Sequence, residues 1–451
     1  MISIMPEILH SKNQIIKIII LGLCFFLIIG SYTLLKELKD AIFTLIVGYK
    51  YLPDVKAVSL FIMVPMALLY SWLSEKIARH HLLSFYAVFY AIGSMIIAYY
   101  IKHPTIGLAN CMADKCRLFG WVVYLFFEGL SPFLVSLNWS FLNSISCPGD
   151  IKSSYIIMAG MGKLGSLIFA TFAWLLMSKG MSFFTLYSDV DLYAFLLRFS
   201  SFSLLCIPIL LFYLVYRTSS NTLKGYVDIN SKKESKKEEK KFNSGFMTIF
   251  KNSYVISIVG MVFFWEIVNV IFNNLRLIIA FSDTHEISEF SSFLFKSTAT
   301  TSLISLLFVV IGTNSIVRYF GERKGLLLIP ILTGSMMILF LINQTATMVI
   351  VTWTVIRSIN LSLATPIRES LYIPTSRDIQ FKSKSWIDSF GQKFCKGFGS
   401  LYNKLIQFVP VSFINLFQVG FFAGVIVMWT WLAYYLGKRW EKAVSKNEVI
   451  K

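Results

Sequence analysis

The sequence predicts an all-α protein that crosses a membrane twelve times. Three observations carry this. Apolar runs of about twenty residues recur from end to end, each long enough to cross a hydrocarbon core of roughly 30 Å as a helix. Only 15% of the 451 residues are charged and 56% are hydrophobic, against about 25% charged in a soluble chain. The alternating ten-residue segments of a transmembrane barrel are absent, and the helix closes every backbone hydrogen bond within one segment in lipid.

The first run, 14–47, has no small-residue cleavage site after it and reads as a retained helix rather than a signal peptide. Spans then follow near 56–75, 82–101, 118–144, 154–177 and 191–216. Residues 217–250 are the one long polar stretch and include Ser231 to Lys241, in which lysine and glutamate dominate. After it come spans near 254–281, 290–317, 324–343, 346–366, 385–409 and 411–437. The stretch therefore reads as a basic cytoplasmic linker (217–250) between an N-terminal six-helix bundle (1–216) and a C-terminal six-helix bundle (251–451). With both ends inside, the inner segments hold roughly two dozen Lys and Arg and the outer loops about six, which sets the orientation.

Six plus six around a cytoplasmic loop suggests the major facilitator architecture, in which two halves rock around a midplane site. Two details point to a repeat. The segments Ser74–His80 and Arg318–Gly325 are both short and basic, and the second resembles the Gly-x-Arg-Lys loop of that superfamily. The fifth and eleventh spans carry glycines in like rank, Gly160, Gly162 and Gly165 in one and Gly397 and Gly399 in the other, where small residues let helices approach closely.

The net charge of +18 would suggest nucleic acid in a soluble protein. Here the basic residues lie mainly between apolar runs, so no nucleic-acid partner is expected. The six cysteines form no Cys-x-x-Cys pair, which argues against zinc; Cys111 and Cys116 share a loop, as thiols or as a disulfide. No phosphate-binding Gly-x-x-x-x-Gly-Lys-Ser/Thr loop occurs, and no Ser, His and Asp set forms a catalytic constellation. The chain is not expected to be an enzyme, and no cofactor or metal is implied.

Charges inside the spans need a reason, since each costs on the order of 2.5–3.5 kcal/mol at the bilayer centre. In the first span Lys36, Lys39 and Asp40 share a helical face, and the chain continues apolar from Ala41 to Val47. Glu128 stands amid Phe and Leu in the fourth span, near Pro132, Trp139 and Asn143. Tyr155 and Lys163 lie on the fifth, Glu266, Asn273, Asn274 and Arg276 on the seventh, Arg357 and Asn360 on the tenth, and Lys393 and Lys396 on the eleventh, with Lys382 and Lys384 on its approach. The set is mostly cationic. A watery cavity lined by Lys point charges and Arg forks suits an anionic, phosphorylated solute.

These charged helices resemble the nucleotide (ATP/ADP) translocase family of plastids and obligate intracellular parasites. Tyr32 to Asp40 is similar to the family's Asn-Tyr-x-x-Leu-Arg-x-x-Lys-Asp, with Lys39 and Asp40 on its Lys-Asp and Lys36 on its Arg. Glu128 stands near the family's Glu-Leu-Trp glutamate. Trp139 and Asn143 match its Phe-Trp-x-Phe-Ala-Asn, and Lys152 and Tyr155 its Ala-Lys-Arg-Phe-Tyr. Glu369 to Lys384 looks like its Lys-Glu-Met-Ala-Tyr-Ile-Pro-Leu-Asp segment, and Lys396 falls on the lysine of its Gly-Lys-Ser-Gly-Gly. Four departures stand out. The family's Gly-Lys-Ser-Gly-Gly reads Cys395-Lys396-Gly397-Phe398-Gly399 here. The family's seventh-helix Glu-x-x-Trp-Lys is replaced around Asn273, Asn274 and Arg276, with Glu266 two turns earlier. Its fifth-helix Asn is Lys163. Its Asp-Pro-Thr-Lys-Glu is Thr365 to Glu369.

The resemblance implies a secondary transporter that moves nucleotides by alternating access, with Lys36, Lys39, Glu128, Asn143, Tyr155, Lys163, Asn273, Arg276, Arg357, Lys393 and Lys396 as substrate-binding residues and Glu266, Lys382 and Lys384 as further candidates. Proton-coupled uptake of another nucleotide or organic phosphate is the alternative, and a membrane receptor or lipid-modifying protein is the other class. The expected setting is the lipid bilayer of an intracellular bacterium or parasite, with the chain acting as a monomer.

Overall fold

A computed structural model of the chain describes residues 12–110, 112–145, 148–179, 187–217, 252–284, 286–311 and 313–372, and from 374 onward all except 376–378, 380–382, 384–386, 388–390, 447, 449 and 451. All of the linker except Arg217 lies outside the described residues, as do Lys382 and Lys384.

The first half holds α1 (Lys12–Ile46), α2 (Leu52–Lys76), α3 (Arg79–Tyr100), α4 (Leu118–Glu128), α5 (Ser136–Ile145), α6 (Pro148–Met177) and α7 (Asp189–Arg217). The second holds α8 (Ser253–Asp283), α9 (Ile287–Ile311), α10 (Thr313–Ile342), α11 (Ala346–Ile359), α12 (Thr365–Ser370), α13 (Gln392–Leu405) and α14 (Val411–Ser445). A single wide π-type turn joins α4 to α5 at Ser131–Val135, and another joins α11 to α12 at Asn360–Ala364. Along the chain these elements give a helical run at each of the twelve predicted positions, and among the described residues nine runs are long and apolar enough to cross a membrane. At the eleventh position the described helix starts only at Gln392 and carries Lys393, Lys396 and Lys404.

The eighth and ninth predicted spans, 290–317 and 324–343, meet where the chain kinks: Gly321, between them, has a φ of 73° and a ψ of 160° inside the run Thr313–Ile342. The positive φ is a conformation that glycine adopts without steric cost.

Helices fall into two compact units that are not simple halves of the sequence. The first comprises residues 1–51, 61–237 and 284–302, and the second 52–60, 238–283 and 303–451. In the first unit α1 packs along α6, α7 and α4, and α3 packs on α7. In the second α8 packs on α13, α11 and α14, and α10 on α14. The core of the second unit is built on Trp353, Trp429, Phe272, Phe340, Phe422 and Tyr402.

Burial differs sharply among the helices. In the most apolar stretch of each, 61% of α1 and 72% of α8 is buried, against 17% of α14. Phe61, Phe212, Tyr216 and Val411 are more than 70% exposed, large apolar side chains that belong in lipid rather than water. The chain is an integral, multi-pass membrane protein. Both α1 and α8, each well enclosed, carry charged side chains deep in their length.

Loop contacts tie the first unit together outside the spans. Lys179, at a φ of 54° just past α6, pairs with Asp189 at 3.3 Å and Glu286 at 3.2 Å. Hydrogen bonds to these two carboxylates raise its pKa above the ordinary lysine value. Cys116 is an exposed free thiol, and Cys111 lies outside the described residues.

Candidate functional site

The expected site residues fall into two clusters, one in each unit. The first is organised by α1. Lys39 is 6% exposed and Asp40 3%. The Lys39 ammonium pairs with Glu128, stands 3.7 Å from Asp40 Oδ1 and lies 3.9 Å from the centroid of the Tyr124 ring. Two carboxylates and an aromatic face thus compensate one buried cation, as a low-dielectric site requires. One turn earlier, Lys36 pairs with Glu37 at 2.8 Å, and Glu37 accepts a hydrogen bond from Thr298 of α9 at 3.0 Å.

Local sequence places Glu128. Pro132 has no N–H to donate to the carbonyl four residues back, which belongs to Glu128. The helix therefore stops at Glu128 and reopens as the wide turn Ser131–Val135, leaving the carboxylate at the end of α4 against Lys39. Further down, the Lys17 ammonium donates to the carbonyl of Ile145, the last residue of α5, a favourable place for a cation.

The second cluster is organised by α8 and α11. Arg276, fully buried, lies over the Trp353 ring at 3.8 Å and donates to Asn273 Oδ1 at 3.1 Å. Arg357, one turn beyond Trp353 on α11, lies 5.4 Å from the same ring. It donates to Asn269 Oδ1 at 3.4 Å, and Asn269 Nδ2 donates to Glu266 Oε2 at 3.2 Å. A continuous polar path therefore runs from Glu266 through Asn269 to Arg357, and through the indole of Trp353 to Arg276 and Asn273.

The structure thus brings Lys39 to Glu128, and Glu266, Asn273, Arg276 and Arg357 into one neighbourhood. Lys36 engages Glu37 instead of joining Lys39. Lys163 is partly buried on α6, and Lys393 and Lys396 are partly buried on α13. Asn143 falls on α5 and Tyr155 on α6, with side chains outside the described part. Five participants were not singled out from the sequence: Glu37, Tyr124, Thr298, Asn269 and Trp353. Helical spacing would have found two of them, since Asn269 is three residues after Glu266 and Trp353 four before Arg357. Glu37 was in plain view between two lysines, but only burial to 1% exposure marks it.

Both units carry cations within their spans. In the first unit Lys36 pairs with Glu37, and Lys39 stands between Glu128 and Asp40. The second unit carries Arg276, Arg357, Lys393 and Lys396 together with Glu266.

Comparison with known proteins fits this arrangement. The ADP,ATP carrier protein 1 of Chlamydia muridarum is 25% identical over 492 residues, covering 97% of this chain and 90% of its own. The protein of the same name from Chlamydia pneumoniae is 23% identical over 500 residues, covering 97% and 94%. Among solved structures, the major facilitator proton:xylose symporter XylE superposes with a TM-score of 0.63 at 13% identity, over 94% of this chain and 95% of that one. A POT family transporter gives 0.62 at 13%, over 94% and 96%. These structures establish the major facilitator fold. The family model described as TLC ATP/ADP transporter matches residues 8–115 and 110–440, and the chain belongs to that family.

Proposed function

We propose that this chain is a secondary transporter that moves nucleotides across a membrane by alternating access, with exchange of ATP for ADP as its leading activity. The observation that carries the reading is the family match over nearly the whole chain, including every helix that bears an ionised side chain. The cationic side chains within the spans support it. Arg276, Arg357, Lys393 and Lys396 supply forks and point charges suited to phosphate oxygens, and Lys39 adds a further point charge. Glu128 holds Lys39 in place until the substrate competes for it. Bond chemistry is not part of the reading, and a monomer in the cell membrane of an intracellular bacterium is the expected setting.

Proton-coupled uptake of another nucleotide or organic phosphate is the second reading. Buried carboxylates favour it: Asp40 Oδ1 is buried with no hydrogen bond among the described residues, and Glu266 is 5% exposed. Purified protein in vesicles preloaded with ADP and supplied with labelled ATP tests both. Uptake that needs internal ADP and ignores a pH gradient supports exchange. Uptake that needs the gradient but no internal nucleotide supports the second reading. Inserted protein that takes up no member of a nucleotide panel overturns both.

A further inference from the structure

Arg357 differs from Lys39 in how its charge is held. Lys39 has carboxylates against it. Arg357, partly buried in a membrane-spanning run, has an amide oxygen at 3.4 Å and an indole face at 5.4 Å, and no carboxylate pairs with it among the described residues. A carboxylate is nevertheless close by. Glu266 lies on the facing helix α8, and the side chain of Asn269 stands between them, bonded to both. The chemistry of the two neighbours fixes how that amide is turned. A guanidinium only donates and a carboxylate only accepts, so the oxygen must face Arg357 and the nitrogen Glu266.

We propose that Asn269 is a positioning residue that acts as a spacer, holding Glu266 off Arg357 so that the guanidinium charge stays available to a phosphate group of the substrate. In a low-dielectric interior an arginine and a glutamate this close would otherwise collapse into a direct ion pair. Such a pair would remove the fork from solution just as effectively as deleting it. The bridging amide offers each group one hydrogen bond and no charge, which is weaker than what a phosphate dianion offers the guanidinium. Arg357 can therefore exchange its amide for phosphate and return. Glu266 stays on Asn269 throughout, and Trp353 keeps the guanidinium plane near its place during the exchange.

The inference rests on the nucleotide-transport reading for its substrate, and two measurements separate their failures. The first is protection of the detergent-purified protein against thermal unfolding by inorganic pyrophosphate, which needs no transport. The second is the KM for ATP in vesicles. The variants are Asn269→Leu, close in shape but unable to bridge, Asn269→Asp, which offers Arg357 a carboxylate of its own, and Asn269→Leu combined with Glu266→Gln. Expected results are a KM raised at least tenfold by either single change, with pyrophosphate protection lost, and recovery of both to within about threefold of the parent in the double variant. Recovery is the discriminating result, since a packing role for Asn269 would not be restored by neutralising Glu266. A KM within threefold of the parent for Asn269→Leu, or no recovery in the double variant, overturns the proposal. Should Asn269→Leu not fold, an unchanged KM in the near-isosteric Asn269→Asp overturns it equally. A parent that carries no nucleotide but is protected by pyrophosphate, with protection lost in Asn269→Leu, sinks the transport reading and leaves the spacer standing. A parent that pyrophosphate does not protect overturns the spacer.

Discussion

Lys39 and Arg357 are both cations inside helices that cross the membrane, and the atoms around them assign them different work. The Lys39 ammonium is enclosed by Glu128, Asp40 and the Tyr124 ring. Two carboxylates share one cation, so removing different members leaves different debris. Lys39→Ala strands both carboxylates, whereas Glu128→Gln leaves Lys39 facing Asp40. Stranding a buried charge costs about 3–5 kcal/mol, so Lys39→Ala is expected to lower the unfolding free energy of the purified protein by about 3 kcal/mol or more. Glu128→Gln is expected to cost about 1 kcal/mol, the worth of one ordinary polar contact. Equal losses in denaturant titrations would show that Asp40 does not share the lysine. Transport by Lys39→Ala is expected to fall to a small fraction of the parent.

Between helices, the close approaches are set by glycine, and they recur in both units. A Cβ at Gly165 of α6 would meet the carbonyl oxygen of Phe26 on α1 at 2.3 Å, a backbone atom that cannot swing aside. In the second unit a Cβ at Gly399 of α13 would meet Val270 Cβ of α8 at 2.8 Å and the carbonyl oxygen of Ile267 at 3.1 Å. In each unit the fifth run of its six-helix half thus lies backbone-close to the first, the enclosed helix that bears charges. Gly160, one turn before Gly165 and of the same type, has nothing within 4 Å among the described residues. Gly165→Ala is therefore expected to destabilise by about 1–3 kcal/mol, the usual cost of overpacking, and Gly160→Ala to leave the unfolding midpoint unchanged. Similar behaviour of the two variants would mean that α6 and α1 are not held at backbone contact.

For the molecule as a whole, two fields decide the arrangement in the bilayer. Apolar faces such as those of α7 and α14 partition into lipid, while the asymmetry of Lys and Arg between loops fixes which side is which. The basic stretch from Ser231 to Lys241 is the strongest single contributor to that asymmetry. A cysteine placed at Ser235 is expected to resist membrane-impermeant maleimide in intact cells and to react once they are opened. Labelling from outside would invert the topology, and with it the direction of any net transport.

Much of this protein was legible before any coordinates. The number and order of helical runs follow from apolar length, because a segment in lipid must satisfy its own backbone and has only a helix with which to do so. The charged positions were equally plain, since ionised groups are rare enough in such segments to stand out one by one. The family could be read from Lys39, Asp40 and Lys396 in their motifs. What sequence could not supply was the pairing. Lys36 and Lys39 share a helical face, yet one answers to Glu37 and the other to Glu128, because the outcome depends on which helix packs against that face. Glu266, Asn269 and Arg276 lie at least 77 residues before Trp353 and Arg357 in sequence, on two different helices. Their linkage exists only where α8 and α11 touch. Hydrophobic length is a property of one segment, and therefore of the sequence. The balance of a charge depends on everything within a few ångströms of it, and only the tertiary structure decides that.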